Sequence, residues 1–209
     1  MSLDHLLLGA PTLEKGIAWL EERTGVRAAR GGSHPGLGTW NALGSLGPAQ
    51  YIEIIAPDPS QPGVETFYVP GLRDFEEPRI ATWAARVDDL RSRFGERLPQ
   101  GFTCEPPRAG SRVRPDGSRL AWSLAFPRHV HHGVFSGALP FFIEWEDPTL
   151  HPGRSTPAGL RLRAMSITHP AASILAAGLQ AFGIDGTVSE GVAARVLVEL
   201  DTPKGVVVL

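Results

Sequence analysis

Apolar positions in the first sixty residues fall into two patterns, one of strands and one of a helix. Residues 3–8, LDHLLL, are a short apolar run bounded by Gly9 and Pro11, which predicts a strand. From Thr12 the spacing changes. Leu13, Ile17 and Leu20 recur at i, i+4 and i+7, one face of a helix, with Thr12 placed to cap it and Gly25 to stop it. A Gly-rich stretch, RGGSHPGLG, follows, then a strand around Thr39–Leu43 (TWNAL), a turn at Gly47-Pro48 and a further strand in YIEIIAPDP. The order reads β-α-β-β-β.

The same order returns from Ile80. IATWAARV predicts a strand, Asp88 a helix cap, Leu90, Phe94 and Leu98 a helix face, and RLAWSLAF and FFIEWEDP two later strands. Trp40 then aligns with Trp122 and Glu53 with Glu144, and a longer intervening segment in the second copy carries PRHVHHGVFSGAL. A repeated supersecondary unit is a stronger architectural signal than any single strand. A third, partial copy opens at Leu160 with LRLRAMSI, continues with an apolar helix from Pro170 and Ala171 through Phe182, and ends in a hairpin of VAARVLVEL and GVVVL. The expected division is a first module at 1–57, a connection at 58–77, a second module at 78–153 and a partial βαββ unit at 154–209 that packs on the sheet.

Composition narrows the function classes. With 42% hydrophobic and 20% charged residues the chain is a folded globule, and 24 glycines with 19 prolines exclude a helical bundle. Net charge is −2 with Lys and Arg scattered, so no basic stripe is present to hold nucleic acid. The apolar run at 6–10 is too short for a signal segment and no later stretch reaches membrane-span length, so a cytoplasmic location without a membrane partner is expected. The single cysteine, Cys104, cannot form an intramolecular disulfide and reads as an ordinary thiol. Neither a nucleophile elbow, a P-loop nor a dinucleotide fingerprint occurs.

Glu53 and Glu144 are the unusual positions, each a carboxylate inside an apolar strand. A charge taken out of water must be paired, bind a cation or lose its ionisation. Internal arginines such as Arg86 and Arg163 offer the structural alternative, and Glu146 shares the strand face of Glu144. His5 shares a face with Leu3 and Leu7 and is either a core imidazole or a ligand. His34 lies in a Gly/Pro turn just before Trp40 and Asn41, whose amide could orient a ligand carbonyl. His129, His131 and His132 crowd the longer segment, where an imidazole could serve as general base. Trp40, Trp122 and Trp145 fill the core or line a ligand cleft.

Taken together, LDHLLLGAPTLEKGIAWL, GGSHPGLGTWNALGSLG, YIEIIAPDP and LPFFIEWEDPTLHPG resemble the vicinal oxygen chelate superfamily, and within it the glyoxalase-like domain proteins, over about residues 3–153. The resemblance implies an α+β fold of paired βαβββ modules forming a curved mixed sheet around a cleft. It implies a divalent metal (Zn, Mn, Ni or Fe(II)) held by His5, Glu53 and Glu144, polarising vicinal oxygens of a small-molecule substrate in isomerase, lyase or dioxygenase chemistry. Glu144 and His132 would then move protons, with His34, Asn41, Trp40 and Trp122 contacting substrate. The sequence departs from the superfamily pattern near Ala81 or Thr82, neither a good metal ligand, so the expected fourth ligand is missing. That departure keeps open a metal-free protein that binds and sequesters a small molecule, as resistance proteins of the superfamily do. Exposed sheet edges offer a route to a homodimer.

Overall fold

In the computed structural model, which describes residues 2–95, 98–114 and 117–209, the chain is mixed α and β with strands predominating. The first copy runs β1 (Ser2–Gly9), α1 (Leu13–Thr24), β2 (Ala29–His34), β3 (Thr39–Gly47) and β4 (Gln50–Pro57). The second runs β5 (Arg79–Arg86), α2 (Leu90–Gly95), β6 (Phe102–Thr103), β7 (Arg108–Val113), β8 (Arg119–Ala125), β9 (Arg128–His129) and β10 (Phe141–Trp145). The tail adds β11 (Arg161–His169), α3 (Ala172–Ala181), β12 (Thr187–Glu190), β13 (Arg195–Thr202) and β14 (Gly205–Val208). Two compact units result, interleaved along the sequence. One comprises His5–Ala81, Leu150–Arg163 and Glu199–Leu209; the other comprises the residues up to Asp4, Thr82–Thr149 and Ala164–Val198. No helix among the described residues is long and apolar enough to cross a membrane.

In the first unit β4 lies between β1, parallel to it, and β3, antiparallel, with Glu53 opposite Leu7 on one side and Leu43 on the other. Thr12 caps α1 as its position predicts, its hydroxyl accepting from the Lys15 N–H at 3.2 Å, and Gly25 ends the helix at φ 79°. The buried face of α1 includes Gly16, where a Cβ would fall 2.4 Å from Ile54 Cγ2. Because strand side chains alternate, Ile54 faces α1 and Glu53 faces away from it.

The Gly-rich stretch contains β2, a strand that periodicity could not reveal because glycines carry no pattern. Gly31 is needed there: a Cβ on it would sit 2.2 Å from Asn41 Oδ1. The 58–77 connection is fastened down at its start. Asp58, buried, accepts from Ser33 Oγ, from Gln61 Nε2 at 2.8 Å and from both N–H and hydroxyl of Ser60, while Gln61 also donates to the His34 carbonyl at 3.1 Å.

In the second unit β10 runs parallel to β5 and antiparallel to β8, which pairs with β7. Helix α2 is capped by Asp89 rather than Asp88, through the Ser92 N–H at 2.9 Å, because that carboxylate is the one three residues before a free amide. The helix expected to carry Leu98 is described as Leu90–Gly95; residues 96 and 97 lie outside the described residues, and Leu98 is not helical. Phe142 packs on Phe94 and Phe182 with ring centroids 4.7 and 5.3 Å apart. Asp4, fully buried, accepts from Arg86 Nη2 at 2.6 Å and from Trp145 Nε1 at 3.0 Å. Strands β7 and β12 carry no signal in the sequence; both are mostly exposed and polar, so no apolar alternation marks them.

Candidate functional site

One face of the first unit gathers the chemistry. In the register of β1 and β4, His5 lies opposite Tyr51, two residues before Glu53 and on the same face. The His5 ring stacks on Tyr51 with centroids 4.4 Å apart at 18°, which aims Nε2 at Glu53 Oε2, 3.5 Å away. Across the sheet, Asn41 Nδ2 donates to Glu53 Oε1 at 2.8 Å. The amide orientation is fixed from its other end, since Asn41 Oδ1 accepts from the Gly32 N–H at 3.0 Å, an unambiguous donor.

The same Nδ2 lies 3.1 Å from His34 Nε2, which therefore accepts, leaving the proton on Nδ1 to be donated to Thr39 Oγ1 at 2.9 Å. His34 Nε2 is also 3.8 Å from Glu53 Oε1. His5, His34, Thr39, Asn41, Tyr51 and Glu53 are all buried. Among the described residues no Lys or Arg pairs with Glu53; its partners are Asn41 and the two imidazoles. The arginines that might have neutralised it are engaged with other acids, Arg86 with Asp4 and Arg163 with Asp201 at 3.7 Å.

Of the other residues predicted for the site, Trp40 belongs to the first unit and Glu144, Trp122 and His132 to the second. Glu144 shares the strand face of Phe142, toward α2, and its Oε2 accepts from the Leu90 N–H at 3.2 Å, the first amide of that helix. Glu53 faces away from its module's helix, so the two glutamates align in sequence while facing oppositely with respect to their helices. Trp40, one residue before Asn41, takes the other face of β3, where the Arg30 guanidinium lies 5.3 Å from its ring. Trp122 packs edge-on to Trp145 and over Gly110 in the second unit. His132 stacks on Phe135 at 5.2 Å, within a cluster that includes His129 and His131.

Sequence reasoning missed Tyr51, Thr39 and Tyr68, whose ring meets His34 edge-on at 5.4 Å. Period-two counting back from Glu53 reaches Tyr51 and could have found it.

As a metal centre the arrangement is incomplete. His5 Nε2 and Glu53 Oε2 are about as far apart as two ligands each about 2.1 Å from a tetrahedral ion. Among the described residues, however, no three His, Cys, Asp or Glu side chains gather so as to hold one.

Comparison with solved structures bears on the fold. A hypothetical protein from Staphylococcus aureus superposes with TM-score 0.68 at 14% identity, over 92% of this chain and 87% of that one. Methylmalonyl-CoA epimerase from Mycobacterium tuberculosis superposes less closely, with TM-score 0.38 at 21% identity, over 68% and 85%. A single-residue variant of the Streptomyces coelicolor methylmalonyl-CoA epimerase, in complex with 2-nitronate-propionyl-CoA, gives 0.43 at 14% identity, over 69% and 97%. No curated protein matches the sequence. The sequence profile of the Glyoxalase-like domain matches residues 3–183, which takes in both copies of the repeat and α3, and the chain belongs to that family.

Proposed function

We propose that this protein is a small-molecule enzyme that moves a proton at a carbon next to a carbonyl or hydroxyl group, with Glu53 as the base. The observation that carries this reading is a buried carboxylate with no cationic partner among the described residues, oriented by Asn41 and flanked by imidazole nitrogens at 3.5 and 3.8 Å. A base must be held in one geometry and must be able to pass its proton on. Asn41 supplies the first requirement by holding Oε1, which leaves Oε2 as the reactive oxygen. His5 supplies the second, standing next to Oε2 and fixed in plane by Tyr51. His34, whose Nε2 accepts from Asn41 Nδ2, holds that amide from a second side.

Among the described residues a divalent ion would find two donors here, His5 and Glu53, short of a full set, and would supply polarisation of a substrate oxygen. The wider set expected from the resemblance adds Glu144, whose carboxylate serves as the first amide's partner in α2. A second reading, a protein that binds a small molecule without turning it over, is favoured by the same Asn41 bond, since a carboxylate supplied with protein donors is a stable polar floor.

Proton exchange separates the two. The full chain is incubated in deuterated buffer with a panel of small α-hydroxycarbonyl compounds, with and without Mn, Ni, Zn or Fe(II), and loss of the α-proton is followed by NMR. Catalysed exchange with at least one compound is expected, reduced about 100- to 10,000-fold in Glu53→Gln. Exchange that persists in Glu53→Gln, or is absent throughout the panel, overturns the enzymatic reading; saturable binding without exchange selects the second.

A further inference from the structure

The second unit contains a cavity of about 440 Å³ between α3 and the 99–102 turn, within the size range of small-molecule sites. It exists because α3 presents small residues there, Ser173 and Ala177 at i and i+4 beside Gly178, where a Cβ would fall 2.5 Å from Phe102 Cζ. Three of the lining residues are polar, Gln100, Ser173 and His129, and the others are apolar.

The state of His129 follows from its contacts. Nδ1 accepts from the His131 N–H at 3.2 Å, so the ring proton sits on Nε2. Nε2 lies on the Gly101 side, 3.0 Å from where a Cβ would stand, between the wall residues Gln100 and Phe102. Among the described residues no acceptor meets that N–H, and the side chains of Gln100 and Ser173 have no hydrogen-bond partner either. Among the described residues no carboxylate lines the cavity, and on its own loop the His129 ring neighbours His132, Phe135 and His131, at 5.0, 5.5 and 5.9 Å.

We propose that this cavity is a second small-molecule site, and that it takes an apolar monocarboxylate whose hydrocarbon part lies against Phe102, Ile174 and Ala177 while its carboxylate accepts from His129 Nε2, Ser173 Oγ and the Gln100 amide. Three donors without acceptors, on a wall whose described residues carry no negative charge, match an anionic head on an apolar body. The site is independent of the Glu53 chemistry.

The probe is 3-phenylpropionate, with 3-phenylpropanol as the uncharged control, titrated into the full chain by calorimetry and by amide NMR. Saturable binding of the acid is expected, with shifts at Gln100, Ser173 and Ala177, and binding of the alcohol about tenfold weaker. Ala177→Leu, which fills the cavity, abolishes binding; His129→Phe weakens it about tenfold; Glu53→Gln leaves it unchanged. If Ala177→Leu fails to give a folded amide spectrum, Ser173→Val, which removes a donor and narrows the rim, is expected to show the loss instead. Absence of saturation, equal binding of acid and alcohol, or undiminished binding in a folded cavity-filling variant overturns the proposal.

Discussion

Asn41 connects both halves of the candidate site, because one amide satisfies the Gly32 N–H, a Glu53 oxygen and His34. Asn41→Ala leaves a buried carboxylate oxygen and a backbone donor without partners, and is expected to destabilise the protein by about 2 kcal/mol in urea unfolding. It should also slow proton exchange, because Oε1 is no longer held. Asp58 acts through a different part of the same surface, tying the connection after β4 to Ser33 and, through Gln61, to the His34 carbonyl. Burial pushes the Asp58 carboxyl up, but the donors from Ser33, Ser60 and Gln61 outweigh it and hold the group well below the usual carboxylate range. The unfolded chain therefore takes this proton first as pH falls, so the stability from Asp58 is present above its ordinary 3.8 and is lost below it. Asp58→Asn should flatten that acid limb in a series of urea melts. At this scale Glu53 was legible, since a mid-strand carboxylate needs a partner. Tyr51 is reached by counting two back from Glu53, but an aromatic residue in an apolar strand also reads as ordinary core.

Helix α2 shows what element-level reading captures and what it loses. Its apolar positions Leu90 and Phe94 were legible from their i, i+4 spacing, and both are buried. The partner of its first amide was not, because Glu144 lies 54 residues away in sequence. Aligning the two copies by their strands matched Glu144 with Glu53, yet strand order carries no information on which face a side chain takes relative to the helix. Glu144→Ala is expected to cost about 1 kcal/mol in unfolding experiments by removing a carboxylate from a helix start. Glu144→Gln, which keeps an acceptor oxygen there, should restore most of that stability and leave proton exchange unchanged. Helix α1 offers the complementary case: Gly16→Val would drive a side chain into Ile54 and lift the helix from β4.

Over the whole molecule, the repeat in the sequence predicted strand-rich modules, and strands do predominate, but the tail and the first residues are distributed between two compact units in a way no local pattern records. Contacts between distant segments, rather than periodicity, decide that grouping. One whole-chain property does follow from named side chains. Partial burial, and the proximity of His132 to both rings, hold the His129 and His169 imidazoles below their ordinary 6.5, with His131 adding to the effect at His129. The folded protein therefore resists the protons that the unfolded chain accepts, and stability should decline as pH falls through about 6.5. Urea midpoints measured between pH 8 and 5 should show this decline, and His169→Gln should reduce it.

The most direct measurement on the candidate site is a crystal structure of the protein soaked with a compound whose α-proton it exchanges. A base at Glu53 predicts that carbon within about 3.5 Å of Glu53 Oε2, on the face shared by His5 and Asn41. A ligand seated away from Glu53, with the Asn41 and His5 contacts undisturbed, would contradict it.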